Sequence, residues 1–124
     1  MAKRVLIVDD EPEMLSLIKY ALEKDGFESA TCEDGRQALE TIAKVKPDVL
    51  ILDVMLPGVD GYSLQVKISE DPQLKTIPVI VLTALEPAKS LFEKFPQVTA
   101  FMTKPLKIDE LLRSVRKAAG VAAS

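Results

Sequence analysis

Five side chains of this sequence have the types and placement needed to handle a charged phosphate group. Asp9 and Asp10 are adjacent, and Asp53 directly follows an apolar run. Thr83 and Lys104 each follow a further apolar run. Clustered carboxylates repel and raise one another's pKa, and a divalent cation removes that cost. Because Mg²⁺ prefers oxygen ligands and usually binds beside phosphate, these residues together predict phosphoryl chemistry assisted by Mg²⁺.

Each group in such a cluster would have its own chemical role. A carboxylate can take a phosphoryl group as an acyl phosphate, and Asp53 is the natural nucleophile. The charge of Lys104 and the hydroxyl of Thr83 could each stabilise a phosphoryl oxygen. Taken singly, every residue also has an ordinary structural explanation. Asp9 and Asp10 could cap a helix beginning at Pro12, Asp53 could start a loop, Thr83 could end a strand, and Lys104 could simply be solvated.

The segments that must position these residues alternate between short apolar runs and stretches with helical spacing. Uninterrupted apolar runs favour strands that are buried on both faces, whereas the mixed polarity of residues 27–32 favours an edge strand. The predicted strands are 5–8, 27–32, 49–52, 78–82 and 99–102. The predicted helices are 12–24, 35–45, 62–69, 87–95 and 108–119.

This alternation predicts one α/β domain with a doubly wound parallel sheet of (βα)5 type. A flavodoxin-like strand order of 2-1-3-4-5 would place the mixed strand at an edge and strands 1 and 3 side by side. In such sheets ligands bind beyond the carboxyl ends of the strands. The five candidate side chains all fall at those ends, so their joint occurrence predicts one site.

Two finer expectations concern the loop after the third strand and the fourth helix. The turn residues of 57–61, Pro-Gly-Val-Asp-Gly, predict a loop after the third strand. The fourth helix is expected to end at Pro96 and to bury one side, formed by Ala88, Leu91, Phe92 and Phe95.

The composition excludes several classes of protein. The chain has 124 residues, of which 48% are hydrophobic, and no apolar run approaches the length of a membrane span. It contains no histidine and a single cysteine, Cys32, so catalysis by His pairs, internal disulfides and Cys-based zinc sites are all excluded. A net charge of −3 gives no basic footprint for nucleic acid. The N-terminus does not resemble a signal peptide, and the expected location is cytoplasmic.

Four segments resemble the receiver domain of bacterial two-component response regulators. They are LIVDDE at 6–11, LILDVMLPGVDG at 50–61, VLTA at 81–84 and TKP at 103–105. The resemblance covers essentially the whole chain. It implies a phosphoryl-accepting switch of a two-component phosphorelay rather than a metabolic enzyme.

The resemblance also assigns the acceptor and the metal ligands. Asp53 would be the phosphoacceptor, supplied by a histidine of a partner kinase or phosphotransfer protein. Mg²⁺ would be bound directly by Asp10, Asp53 and the backbone carbonyl of Met55. Asp9 would act mainly through water.

The same resemblance implies how phosphorylation would be sensed. Thr83 and the amide of Ala84 would meet phosphoryl oxygens, and Lys104 would pair with one more. Phe101 matches an aromatic position that swings inward when Thr83 is drawn to the phosphoryl group. The fourth helix, fifth strand and fifth helix would then form the face read by a downstream protein or a second copy.

One segment departs from the family pattern. Residues 95–99, Phe-Pro-Gln-Val-Thr, replace a Gly-Ala-Asp-like segment, so the fourth helix or its exit should be shortened or bent. A degenerate receiver serving only as a protein–protein module is therefore a second hypothesis. A flavodoxin-like cofactor carrier is disfavoured by the missing glycine-rich phosphate loop and the 5% aromatic content. We expect residues 1–120 to form the receiver domain, followed by a tail at 121–124 and no output domain.

Overall fold

The fold is described for residues 3–56, 59–83 and 89–120 of a computed structural model, leaving aside the side chains of residues 55, 56, 59 and 60. The strands are β1 (Arg4–Val8), β2 (Glu28–Cys32), β3 (Val49–Asp53), β4 (Met55–Leu56), β5 (Val59–Asp60), β6 (Val79–Thr83) and β7 (Val98–Thr103). The helices are α1 (Pro12–Lys24), α2 (Ala38–Val45), α3 (Gly61–Glu70), α4 (Lys89–Phe92) and α5 (Ile108–Ala119), and a 3₁₀ turn at Gly35–Gln37 precedes α2.

Five of these strands form one parallel sheet in the order β2-β1-β3-β6-β7. Counted over the long strands alone, this is the predicted order 2-1-3-4-5, and the flavodoxin-like α/β fold is confirmed. The central strands β3 and β6 are buried along their whole length, as their uninterrupted apolar sequences require. The mixed strand β2 lies at an edge, also as predicted.

Helices cover both faces of the sheet because successive strand residues point to opposite sides. One core joins alternate residues of the strands to helices α1 and α5, and it includes Val5, Ile7, Ile18, Leu22, Ile51, Leu111 and Val115. The other core joins the remaining strand residues to α2, α3 and α4, and it includes Leu6, Val8, Ile42, Leu50, Ile68, Val81 and Phe92.

The helices α1 and α5 have the predicted bounds, and a glycine follows each of them. Pro12 occupies the first turn of α1, where its missing N–H is not needed. Gly26 and Gly120 adopt φ values of 94° and 72° after the two helices, a conformation that glycine accepts without strain. The helix predicted at 35–45 begins instead with a 3₁₀ turn, and the α-helix itself starts at Ala38. The Asp34 side chain caps this turn by accepting a hydrogen bond from the Arg36 N–H.

The fourth helix corrects one prediction. Its described part ends at Phe92, before the predicted end at Phe95, and Ala88 lies outside the described residues. Leu91 was expected to face inward, which is wrong, because its surface is 51% exposed. Phe92 and Phe95 are buried, and a turn closed by the Phe95 N–H and the Phe92 carbonyl brings Phe95 inward. Helical spacing alone therefore misplaces Leu91.

The predicted loop at 57–61 also needs correction. Met55–Leu56 and Val59–Asp60 pair as a short antiparallel ladder, and Gly61 already begins α3. Residues 57–58 lie outside the described part of the chain. The turn residues thus predict the reversal of direction but not the strand pair that flanks it.

A buried pair of amides holds the unusual segment before β7. Gln97 donates from Nε2 to the carbonyls of Ile77 at 2.8 Å and Leu74 at 3.2 Å. Its Oε1 accepts from Gln65 Nε2 of α3 at 3.0 Å. These bonds tie the segment to α3 and to the connection before β6.

In the described part of the chain, no helix combines the length and apolarity of a membrane span.

Candidate functional site at the carboxyl ends of the strands

Backbone hydrogen bonds place the predicted residues along one edge of the sheet. The Asp9 N–H donates to the Cys32 carbonyl of β2 at 3.1 Å, so Asp9 continues the ladder beyond β1. Asp53 is the last residue of β3. The Lys104 N–H donates to the Thr83 carbonyl at 2.9 Å, which fixes the start of the Lys104 side chain beside β6. The strand ends therefore converge as predicted.

Four carboxylates meet at this edge. Oxygens of Asp9, Asp10, Glu11 and Asp53 all lie within 4.8 Å of one another. Asp9 and Asp53 are buried, Asp10 is half-buried and Glu11 is exposed. The cluster thus runs from the interior of the fold to its surface.

Lys104 lies among these carboxylates. Its Nζ is 2.9 Å from Asp53 Oδ2, 3.0 Å from Glu11 Oε1 and 3.7 Å from Asp9 Oδ2. Burial disfavours the ammonium form, but the hydrogen bonds to Asp53 and Glu11 outweigh it and raise the pKa of Lys104 above its ordinary value. Lys104 therefore stays charged, yet one ammonium cannot balance four carboxylates.

The pKa of Asp9 shows most clearly that negative charge remains in excess at this site. Burial raises its pKa from 3.8 to about 6, and the nearby Asp53 charge adds to the effect, while a hydrogen bond from the Glu11 N–H opposes it. That N–H donates to Asp9 Oδ1 at 3.0 Å. The other oxygen, Oδ2, is buried without a hydrogen-bond partner among the described residues. A buried carboxylate oxygen that accepts no hydrogen bond, in a set of hard oxygen donors, fits a divalent cation such as Mg²⁺.

Helix capping does not explain the acidic pair. The N-cap residue of α1 is Glu11, and its side chain makes no capping hydrogen bond. Asp9 instead accepts from the Glu11 N–H in a turn before the helix. Glu11 itself was missed as a site residue, although its position next to the acidic pair is a usable signal.

The two predicted switch residues lie on neighbouring strands. Thr83 is buried at the end of β6. Phe101 of β7 is half-buried, with its ring centroid 6.5 Å from that of Phe92. Ala84 lies outside the described residues, and Met55 is described only by its backbone, which begins β4. Their predicted roles stay predictions.

Gly61 supports the segment that follows Asp53. A Cβ at position 61 would lie 2.5 Å from Val54 Cα, which is closer than real atoms approach. The start of α3 therefore packs directly against the residue after Asp53, and only glycine leaves room for this contact. The sequence analysis included Gly61 among the turn residues of 57–61, but the contact with Val54 that requires glycine there was not predicted.

Comparisons with known proteins agree with this geometry. Residues 5–116 match the response regulator receiver domain family. The transcriptional regulatory protein TrcR of Mycobacterium tuberculosis is 38% identical over 117 residues, which cover 91% of this chain and 44% of TrcR. The chain spans about half, or less, of the length of most curated relatives it matches.

Two solved structures are similar over nearly their full length. The response regulator TrrA of Thermotoga maritima, solved in complex with Mg²⁺-BeF, is 33% identical with a TM-score of 0.82, covering 94% of this chain and 98% of TrrA. The receiver domain of the Pseudomonas aeruginosa sensor histidine kinase PA1611 was solved with a magnesium ion in its active site cleft. It is 27% identical with a TM-score of 0.84, and the match covers 97% of this chain and 99% of that receiver domain. Because the family model matches residues 5–116, most of its length, this chain belongs to the response regulator receiver domains.

Proposed function

We propose that this chain is a phosphoryl-accepting signalling switch that is phosphorylated on Asp53. One observation carries the proposal. The buried Asp53 carboxylate lies within 2.9 Å of the Lys104 ammonium and within a cluster of four carboxylates at the carboxyl edge of the sheet. This arrangement provides a nucleophile, a compensating cation and oxygen ligands for a metal in one place.

The phosphoryl donor would be a phosphohistidine of a kinase or phosphotransfer protein. An Asp53 carboxylate oxygen forms a new P–O bond while the P–N bond breaks, and the imidazole leaves as a neutral ring with a proton from solvent. Lys104 shifts from the carboxylate to a phosphoryl oxygen, and the Thr83 hydroxyl donates to another. The chain takes part in this transfer as a signalling domain and not as a metabolic enzyme.

The metal would be held by the same cluster. We assign Asp10 and Asp53 as direct Mg²⁺ ligands, with the Met55 carbonyl as a further ligand and Asp9 acting through water. When bound, Mg²⁺ would neutralise the carboxylates and the incoming phosphoryl charge. Asp9 Oδ2 supports this assignment, because it is buried and accepts no hydrogen bond from the described residues.

The output would pass through Thr83 and Phe101 to the face formed by α4, β7 and α5. Allosteric couplings of this kind are typically about 1–3 kcal/mol, which is enough to bias a two-state element. A downstream protein or a second copy of the chain would read this face, and the exposed Leu91 lies on it.

The complete acidic cluster disfavours the alternative function, that of a protein–protein interaction module that works without phosphorylation. The cytoplasmic location and the receiver boundary at 120 stay predictions.

The test is direct. Wild type and Asp53→Asn are incubated with a small phosphodonor and either Mg²⁺ or EDTA, and intact mass is measured. We expect a phosphoryl adduct on wild type with Mg²⁺ only. An adduct of equal yield on Asp53→Asn would refute the assignment of the acceptor, and the absence of any adduct would favour the interaction module.

A further inference from the structure

Glu11 is the member of the carboxylate cluster to which the proposed reaction gives no role. Its backbone is fixed on both sides, because its N–H donates to Asp9 Oδ1 at 3.0 Å and its carbonyl accepts the Leu15 N–H at 3.0 Å. Its side chain is 56% exposed, yet Oε1 is 3.0 Å from the Nζ of Lys104. An exposed carboxylate is thus held against a largely buried ammonium.

The Lys104 ammonium lies between an inner and an outer carboxylate. The inner partner, Asp53, has a side chain only 1% exposed, whereas the outer partner, Glu11, faces solvent. The third neighbour, Asp9, is fully buried at 3.7 Å. Without Glu11, both remaining partners would draw the ammonium inward, over the Asp53 oxygen that must react.

A phosphodonor can reach Asp53 only from the solvent side of the cluster. The Asp53 oxygen must release the ammonium to form the new bond, and the ammonium must then meet a phosphoryl oxygen that arrives from outside. A carboxylate on the outer side gives the ammonium a second partner during that exchange. Charge-assisted hydrogen bonds of this kind are strong enough to influence where a flexible lysine lies.

We propose that Glu11 is a positioning residue, which holds the Lys104 ammonium at the solvent side of the cluster so that it can pass from Asp53 to an incoming phosphoryl group. This inference rests on the proposed function. Isolated surface ion pairs contribute little. This pair differs because the Lys104 side chain is only 18% exposed and is shared with a buried nucleophile.

The experiment measures the rate of labelling by phosphoramidate at saturating Mg²⁺. In this reaction the Asp53 oxygen forms a P–O bond, the P–N bond breaks, and the protonated nitrogen leaves as ammonia. The variants are Glu11→Gln and, as the matched control, Glu13→Gln, which removes the same charge from an exposed position in the first turn of α1. We expect Glu11→Gln to slow labelling roughly three- to tenfold, and Glu13→Gln to leave it unchanged.

A second pair of variants separates positioning from a general loss of charge. In a Lys104→Met background, labelling is slower, and adding Glu11→Gln is expected to change it by less than about twofold. Equal slowing in both backgrounds, or matching rates for Glu11→Gln and Glu13→Gln, would overturn the inference alone. A wild type that takes no phosphoryl group would overturn the proposed function and this inference with it. Urea denaturation of Glu11→Gln confirms that the variant is folded.

Discussion

Replacing Asp9 by asparagine is expected to stabilise the metal-free protein, although it removes a charged residue from the site. The Asp9 carboxylate is fully buried, and its Oδ2 has no hydrogen-bond partner among the described residues. Asparagine has nearly the same shape, and its Oδ1 can still accept from the Glu11 N–H. The substitution therefore removes an unfavourable charge and retains the local turn.

The magnitude follows from the pKa of Asp9, which burial raises from 3.8 to about 6. Each pKa unit corresponds to about 1.4 kcal/mol, so the ionised carboxylate destabilises the fold at pH 7 by up to about 3 kcal/mol. Solvent at the open side of the cluster screens part of this energy, and the new amide donors need partners. We expect a net gain of about 2 kcal/mol in the free energy of unfolding.

The sign of the pH dependence gives a second readout. The folded protein binds a proton on Asp9 more tightly than the unfolded chain does, so protonation favours the native state. The contribution of Asp9 to wild-type stability should therefore rise as pH falls from 7 through about 6 towards 4. Asp9→Asn should lack this part of the slope, because asparagine does not titrate.

Urea denaturation in EDTA at pH 7 measures the effect, followed by the same measurement in Mg²⁺. The control is Asp71→Asn, because Asp71 Oδ1 accepts from the Gln73 N–H at 2.8 Å in a similar turn, outside the cluster. We expect the control to change stability by less than about 0.5 kcal/mol, and Mg²⁺ to stabilise wild type more than Asp9→Asn. The reasoning is refuted if Asp9→Asn is no more stable than wild type without metal, or if Mg²⁺ stabilises both equally.

Three further substitutions test the surroundings of the site by urea denaturation. Gly61→Ala should cost about 1–3 kcal/mol, because its Cβ would lie 2.5 Å from Val54 Cα; a neutral effect would contradict the close packing. Lys104→Met should cost about 2–4 kcal/mol in EDTA, because it leaves Asp53 buried without its ion pair at 2.9 Å, and Mg²⁺ should recover part of the loss; no recovery would count against a shared cation site. Gln97→Ala should cost about 2–3 kcal/mol, because the Ile77 carbonyl and the buried Gln65 amide each lose their hydrogen bond to Gln97, and unchanged stability would show that the amide pair is unimportant.

The sheet and the convergence of the site could be predicted because each depends on local signals. Uninterrupted apolar runs identify the central strands, and the polar residue that ends each run marks its carboxyl end. The parallel topology then places Asp9, Asp53 and Lys104 at one edge without knowledge of any side-chain conformation. The bounds of α1 were equally accessible, because Pro12 and Gly26 mark its two ends.

Other features could not be predicted because they depend on how side chains meet in space. The contact between Glu11 and Lys104 joins residues 93 positions apart and needs the conformation of both side chains. Leu91 is exposed while its neighbour Phe92 is buried, and which of the two packs inward is not determined by apolar spacing. The burial of Gln97 depends on carbonyls from another connection, whereas its polarity alone indicates a surface position.

Locating the phosphoryl group on the chain tests the central claim most directly. After incubation with phosphoramidate and Mg²⁺, borohydride reduction converts an aspartyl phosphate to homoserine, which peptide mass spectrometry places at one position. We predict homoserine at position 53 alone, and none when EDTA replaces Mg²⁺. Homoserine at position 9 or 10, or an equal yield at 53 without a divalent cation, would contradict the account.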